Sequence, residues 1–209
     1  MKPAYRIETE RTVLRCWQPE DAPLLSAAIE ASLEHLQEWM PWAAGEPKSL
    51  DERVAFLRAM RASFDKDVEY VYGIFNRDEN AVIGGTGLHR RDEGNCLEIG
   101  YWIHVDYINR GLASEISAAL TKAAFAIHQV DWVEIRCDPN NIGSASVPRK
   151  LGYTHEATLR RRRTTPQGNV EGTMIWTLFA DEYPASPSAR AKMRAFDVLG
   201  SAIEVNSQQ

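Results

Sequence analysis

Glu98, Tyr101 and His104 stand within seven positions of one another, and the chain then turns abruptly through Asn109-Arg110-Gly111. The first three can hold, release or hydrogen-bond a proton. Gly111 and Ala113 carry almost no side chain, so the N–H groups of a helix starting there can approach a ligand closely. Such groups, with the positive end of the helix dipole, make an anion site suited to a pyrophosphate. The plain alternative is a turn that needs small residues. The glycine spacing is neither G-x-x-x-x-G-K-[ST] nor G-x-G-x-x-G, so nucleoside triphosphate and dinucleotide readings lose their motif. Asn141 and Ser144 stand where another helix should start, as its caps. Trp39 and Trp42 flank Pro41 in a stretch that no simple period explains; they are either a core plug or the walls of a substrate pocket.

The elements that must position these residues follow from periodicity. Leu97 to Val105 is rich in aromatic and β-branched residues and reads as a strand, and Gly111 to about His128 reads as a helix. Earlier, Arg11 to Trp17 is a short strand, and Gln18-Pro19-Glu20-Asp21 opens a helix with apolar Leu24, Leu25, Ala28, Ile29 and Leu33. Ser49 and Glu52 form a capping box for a helix to about Lys66. Glu69–Phe75 and Ala81–Leu88 are strands, the second bulged by its glycines. The turn Asp92-Glu93-Gly94-Asn95 leads into the strand at Leu97, completing an antiparallel meander. Trp132–Cys137 is a strand parallel to Leu97–Val105, because a crossover helix separates them. A helix over Ser144–Leu151 stopped by Gly152 precedes a hairpin, Thr154–Thr164 and Val170–Phe179, around Thr165-Pro166-Gln167-Gly168-Asn169. Residues 184–209 read as a linker, a short helix over Ala189–Leu199 and a polar tail, outside a domain of residues 1–183.

Ile108-Asn109-Arg110-Gly111-Leu112-Ala113 resembles the [QR]-x-x-G-x-[GA] loop of the GCN5-related N-acetyltransferases, with Ile108 departing at the first position. Glu98-Ile99-Gly100-Tyr101-Trp102-Ile103, Asn141-Ile142-Gly143-Ser144, Lys150-Leu151-Gly152-Tyr153 and Thr158-Leu159-Arg160-Arg161 resemble segments of its ribosomal-protein N-terminal branch, as does the stretch His35 to Trp42. The resemblance spans about Arg6 to Tyr183. It implies an α/β (α+β) fold: a mixed, mostly antiparallel sheet of six to seven strands, helices on both faces, and a splayed parallel pair formed by 97–105 and 132–137.

The resemblance also implies acetyl-CoA as cofactor and a primary amine as acceptor, a protein N-terminus or a small molecule, acetylated by direct attack in a ternary complex. A non-catalytic acyl-CoA-binding module is the reading from a different class. The open strand rim at Ile103, His104 and Val105 would take the pantetheine arm, and Ile108, Asn109, Arg110, Gly111, Leu112, Ala113 and Ser114 the pyrophosphate. N–H groups near Tyr101 to Ile103 would face the oxyanion. Asn141 would contact the arm, Ser144 would act as acid toward the leaving thiolate, and Trp39, Trp42 and Tyr101 would meet the acceptor. The tyrosine many relatives use as acid is replaced here by Pro148, and an acid some carry in the last hairpin aligns roughly with Arg163. A lysine amine has a pKa of about 10.4 and an α-amine about 7.7–8.0, so an α-amine needs only modest help from a base. Glu98 is the expected base, with Tyr101 and His104 as weaker alternatives.

Composition bounds these readings. The chain has 209 residues, 44% hydrophobic and 25% charged, which suits one domain with a substantial core. A net charge of −5 argues against generic nucleic-acid binding. Of Arg160 to Arg163, at most two can face one side of a strand. No apolar run is long enough for a membrane span, and the first residues do not read as a signal peptide. Cys16, Cys96 and Cys137 lie far apart, and His35, His89 and His128 have no metal-ligand spacing, so no metal is expected. The cysteines point to a reducing compartment, the cytoplasm, and a monomer or homodimer is expected there.

Overall fold

The computed structural model describes residues 3–91, 94–164 and 168–205, with Arg163 described by its backbone alone. The turn residues Asp92-Glu93 and Thr165–Gln167, and the last four residues of the tail, lie outside that description. Ten strands form one sheet in the order β10-β9-β1-β2-β3-β4-β5-β6-β8-β7. In chain order they are β1 (Arg6–Glu8), β2 (Thr12–Cys16), β3 (Tyr70–Asn76), β4 (Val82–Arg90), β5 (Cys96–Ile103), β6 (Trp132–Cys137), β7 (Thr154–Thr164), β8 (Val170–Phe179), β9 (Arg194–Phe196) and β10 (Ala202–Ile203). The pair β5/β6 is parallel and the rest are antiparallel.

Strand neighbours fall into different apolar clusters, as a two-faced sheet requires. Leu14, Ile74, Ile83 and Ile99 belong to the larger cluster, with Leu112, Ile116 and Leu120 of α3 (Leu112–Ala123) and Val147 and Leu151 of α4 (Ile142–Leu151). Val13, Phe75 and Val82 belong to the smaller one, with Leu25, Ile29 and Leu36 of α1 (Ala22–Trp39) and Leu57 of α2 (Leu50–Asp65). The helices thus occupy both faces.

Local chemistry sets the ends of these elements. The Ser49 hydroxyl accepts the Glu52 N–H at 3.3 Å and the Glu52 carboxylate accepts the Ser49 N–H at 2.8 Å, the expected box. Helix α1 runs through His35 to Trp39 and stops at Met40, whose extended backbone is what a following proline favours. The expected bulge is Ile83, left over where Ile74 pairs Gly84 and Phe75 pairs Val82. Gly152 closes α4 in a left-handed conformation.

Two expectations need correction. The strand at 97 does not reach Val105. It ends at Ile103: the His104 N–H makes a last bond to β4 at the Ile83 carbonyl, the Val105 N–H turns away to the Ser32 hydroxyl, and Val105–Tyr107 forms a single helical turn. No helix forms over Ala189–Leu199. Only Pro187–Arg190 makes a helical turn, and Arg194–Phe196 pairs with β1, Ala195 opposite Ile7. The aspartate turn wins there: Asp197 Oδ1 accepts the N–H groups of Leu199 and Ser201, and Gly200 takes φ +77°. The sheet therefore exceeds the expected six to seven strands by β1, β9 and β10, each of two or three residues and too short to show a period.

Candidate active site

The parallel pair parts halfway along. Cys96 to Ile99 pair with Trp132 to Ile135, and beyond that β6 stays with β8 while β5 stays with β4. Gly100 is the first residue of β5 without a β6 partner. The Gly100 carbonyl accepts from the Thr86 hydroxyl on β4, and the His104 N–H goes to Ile83 of β4. Main-chain direction alternates along a strand, so the N–H groups of Tyr101 and Ile103 face the gap that β6 has left. The open rim is thus Gly100–Ile103, displaced toward the strand's start from the expected Ile103–Val105.

Two cavities meet at this gap. A cleft of about 370 Å³ runs along Ile103, Ile108, Asn109, Gly111, Leu112, Ala113 and Ser114 to Asn141, Ser144 and Lys150. A pocket of about 500 Å³ is walled by Trp17, Trp39, Met40, Trp42, Phe56 and Trp102, with Glu98, Arg136 and Asp138 among its polar residues. Trp39, Met40, Tyr101, Trp102, Asn141 and Ser144 line both. Of the residues expected at the cofactor, His104, Val105 and Arg110 do not border the cleft: the His104 imidazole accepts the Asp106 N–H at 3.1 Å, and the Arg110 guanidinium lies over Tyr107.

The turn into α3 has the geometry of an anion cradle. Asn109 and Gly111 both have left-handed backbones, φ +58° and +76°. The Gly111 carbonyl accepts the Glu115 N–H, so the N–H groups of Leu112, Ala113 and Ser114 precede the first intrahelical bond. Arg11 braces the turn, donating to the Arg110 carbonyl at 2.8 Å and to Glu115 at 2.6 Å. Ile108 packs partly buried against the larger apolar cluster, which accounts for a hydrophobic residue there.

Across the gap, Asn141 Oδ1 caps α4 by accepting the Ser144 N–H at 2.8 Å. The Tyr101 hydroxyl lies 3.1 Å from Ser144 Oγ. Burial pushes the Tyr101 phenol up well beyond its usual range, so it stays a neutral hydroxyl; the Ser144 hydrogen bond pulls the other way and does not prevail. Glu98, on the pocket floor, is held by two guanidinium groups, 2.8 Å from Arg91 Nε and 3.3 Å from Arg136 Nε. The rings of Trp42 and Trp102 meet edge to face at 6.2 Å, and Trp39 stands where cleft and pocket join.

Several lining residues were not singled out from sequence. Trp102 lies flat on β4, its Nε1 2.5 Å from where a Cβ on Gly85 would stand, so Gly85 must be glycine to leave room for the ring. A buried pair, Glu46 with Arg53 at 2.5 Å, also lines the pocket. His89 stands opposite Glu98 in the β4/β5 register. That pairing had a signal: a hairpin centred on Asp92–Asn95 puts 89 against 98.

Comparison with known proteins agrees with this geometry. The family described as "Acetyltransferase (GNAT) domain" matches residues 11–154. The uncharacterized N-acetyltransferase YjdG of Bacillus subtilis (strain 168) is 28% identical over 156 residues, covering 70% of this chain and 88% of the relative. Among solved structures, RimL, a ribosomal L7/L12 alpha-N-protein acetyltransferase in complex with coenzyme A, superposes with a TM-score of 0.75 at 18% identity, covering 83% of this chain and 97% of that one. Mycobacterium smegmatis RimJ in complex with CoA-disulfide superposes with a TM-score of 0.73 at 21% identity, covering 86% and 87%.

Proposed function

The chain belongs to the GNAT acetyltransferase family, and from that premise we propose that it acetylates the α-amine at the N-terminus of a protein. It is an acetyl-CoA-dependent N-acetyltransferase; acetyl-CoA supplies the activated acyl thioester. The cleft suits that cofactor, because a left-handed glycine and a helix start border it where a diphosphate would lie, and a strand rim follows. The N–H groups of Leu112, Ala113 and Ser114 would hold the diphosphate. Those of Tyr101 and Ile103 would meet the arm's amides and the acetyl oxygen, and Asn141 the arm. Ser144 Oγ, 3.1 Å from the Tyr101 hydroxyl, would give its proton to the departing thiolate.

One observation carries the acceptor reading: the pocket beyond the gap is wide, walled by four tryptophans, and joined to the cleft at Tyr101 and Ser144. A chain end with its first side chains fills such a pocket. Its α-amine, already partly neutral at pH 7, also asks little of a base. RimL, with which the fold superposes, is named as acting on a protein α-amine. Within the pocket, Trp39 and Trp42 would flank the acceptor. Glu98, tied to Arg91 and Arg136, would fix Arg136 at the floor.

The test is an acceptor panel with thiol-release detection. It sets N-terminal peptides, including those of ribosomal proteins, against polyamines, amino acids and aminoglycosides. Peptides should give the highest kcat/KM. A small amine that outperforms every peptide would replace this acceptor with a small molecule. Tight acetyl-CoA binding without turnover on any amine would leave a binding module.

A further inference from the structure

We propose that His89, not Glu98, takes the proton from the acceptor amine, with Glu69 orienting its imidazole. The inference rests on the acetyltransferase reading and adds to it the group that readies the nucleophile. The His89 side chain lies on the acceptor side of the sheet and lines the large pocket. Its Nε2 lies 3.3 Å from where a Cβ on Gly100 would stand and 2.8 Å from the same point on Gly87. The facing pair Gly87 and Gly100 therefore leaves a bare floor on which the ring rests. Gly100 is also the first residue of β5 freed by the parting of β6, so the imidazole overhangs the start of the open rim.

On the ring's other side, His89 Nδ1 is 3.4 Å from Glu69 Oε1. A carboxylate at that distance would favour the proton on Nδ1 and leave Nε2, which lies over the Gly87–Gly100 floor, with its lone pair free for the acceptor. Glu98, the carboxylate opposite, spends its charge on Arg91 and Arg136. The charged groups facing His89 are thus Glu69 from the turn before β3 and Glu98 from β5 with its two arginines. Lys48 and the Glu46–Arg53 pair line the same pocket.

The step balances as a proton transfer. The N–H bond of the acceptor ammonium breaks, its electron pair stays on nitrogen as the nucleophile, and the proton bonds to Nε2. The imidazolium faces Glu69 until the ring, about a quarter exposed, returns the proton to water.

The experiment compares His89→Gln and Glu98→Gln in the full chain, using the best peptide acceptor, with acetyl-CoA affinity measured by calorimetry. His89→Gln should lose about 10²-fold in kcat, keep acetyl-CoA affinity, and lose the acidic limb of the pH–rate profile. Free imidazole should restore part of the rate to His89→Ala. In NMR, the parent's His89 ring resonances should shift on adding acceptor, a readout that needs no turnover. Glu69→Gln should shift the His89 ring-nitrogen resonances, the signature of a changed tautomer balance, with acetyl-CoA affinity unchanged. The proposal is overturned if His89→Gln keeps the parent's rate and profile while Glu98→Gln loses both, or if the resonances ignore the acceptor. A parent that binds acetyl-CoA yet acetylates nothing refutes the wider acetyltransferase reading instead.

Discussion

The hydroxyls of Tyr101 and Ser144 lie 3.1 Å apart, joining the strand on one side of the gap to the helix on the other. Tyr101 belongs to the open rim of β5 and Ser144 to the first turn of α4, so their contact fixes the width of the slot where both cavities meet. Because the buried phenol stays neutral, the pair can pass a hydrogen bond without carrying charge.

Ser144→Ala should lower kcat roughly 10- to 100-fold, about 1.4–2.7 kcal/mol of transition-state stabilisation, with acetyl-CoA affinity changed less than threefold. Tyr101→Phe should cost about one hydrogen bond, roughly tenfold or less. Steady-state kinetics with calorimetry separates the two. Equal loss of rate and cofactor affinity in Ser144→Ala would make it a binding residue.

Gly111 holds φ +76°, and a Cβ there would meet only Arg11 Nη2 at 3.8 Å, so conformation rather than space demands glycine. Gly111→Val should cost about 1–2 kcal/mol of stability by strain at this left-handed position. It should also reduce acetyl-CoA affinity at least tenfold, because relaxing that strain swings the α3 N–H groups off the cleft. Calorimetry on folded material checks this; unchanged affinity would remove the loop from the cofactor site.

Trp42 is 42% exposed and touches Trp102 at the pocket's outer edge. Trp42→Ala should raise the acceptor KM roughly 10-fold with little effect on kcat and none on acetyl-CoA affinity, the pattern of lost uniform binding.

His128 is partly buried against Tyr70, its ring centroid 4.4 Å away, and the desolvation pulls its pKa down to about 4. The folded state therefore favours the neutral ring. The stabilisation is fully present above the unfolded value of about 6.5 and is lost as pH falls toward 4, on the order of 2–3 kcal/mol in all. Thermal melts between pH 7.5 and 4 should fall less steeply for His128→Gln than for the parent.

The sequence displayed the fold's long elements plainly, since Leu25, Ala28 and Ile29 repeat at helical spacing and Ile74 and Phe75 alternate between faces. The capping box at Ser49 and the stop at Gly152 were equally readable, because each depends on residues within four positions. The cradle at Asn109–Gly111 was legible for the same local reason. The exact rim was not: whether a main-chain N–H is free depends on Ile83 and Ser32, distant in sequence. Nor were the partners of Glu98 visible, because Arg136 reaches it only once β5 and β6 lie side by side. The pairing of Arg194–Phe196 with β1 left no periodic trace at all, joining two segments nearly the whole chain apart.

That last pairing bears on how the protein can be handled. A shortened version stopping after Tyr183 would keep every cavity-lining residue named above yet strip two ribbons from the outer flank, leaving Arg6–Glu8 with bare main-chain groups along one side. Exposed rims of that sort recruit other copies, so such a truncation should show up as clumping in solution before any change in catalysis.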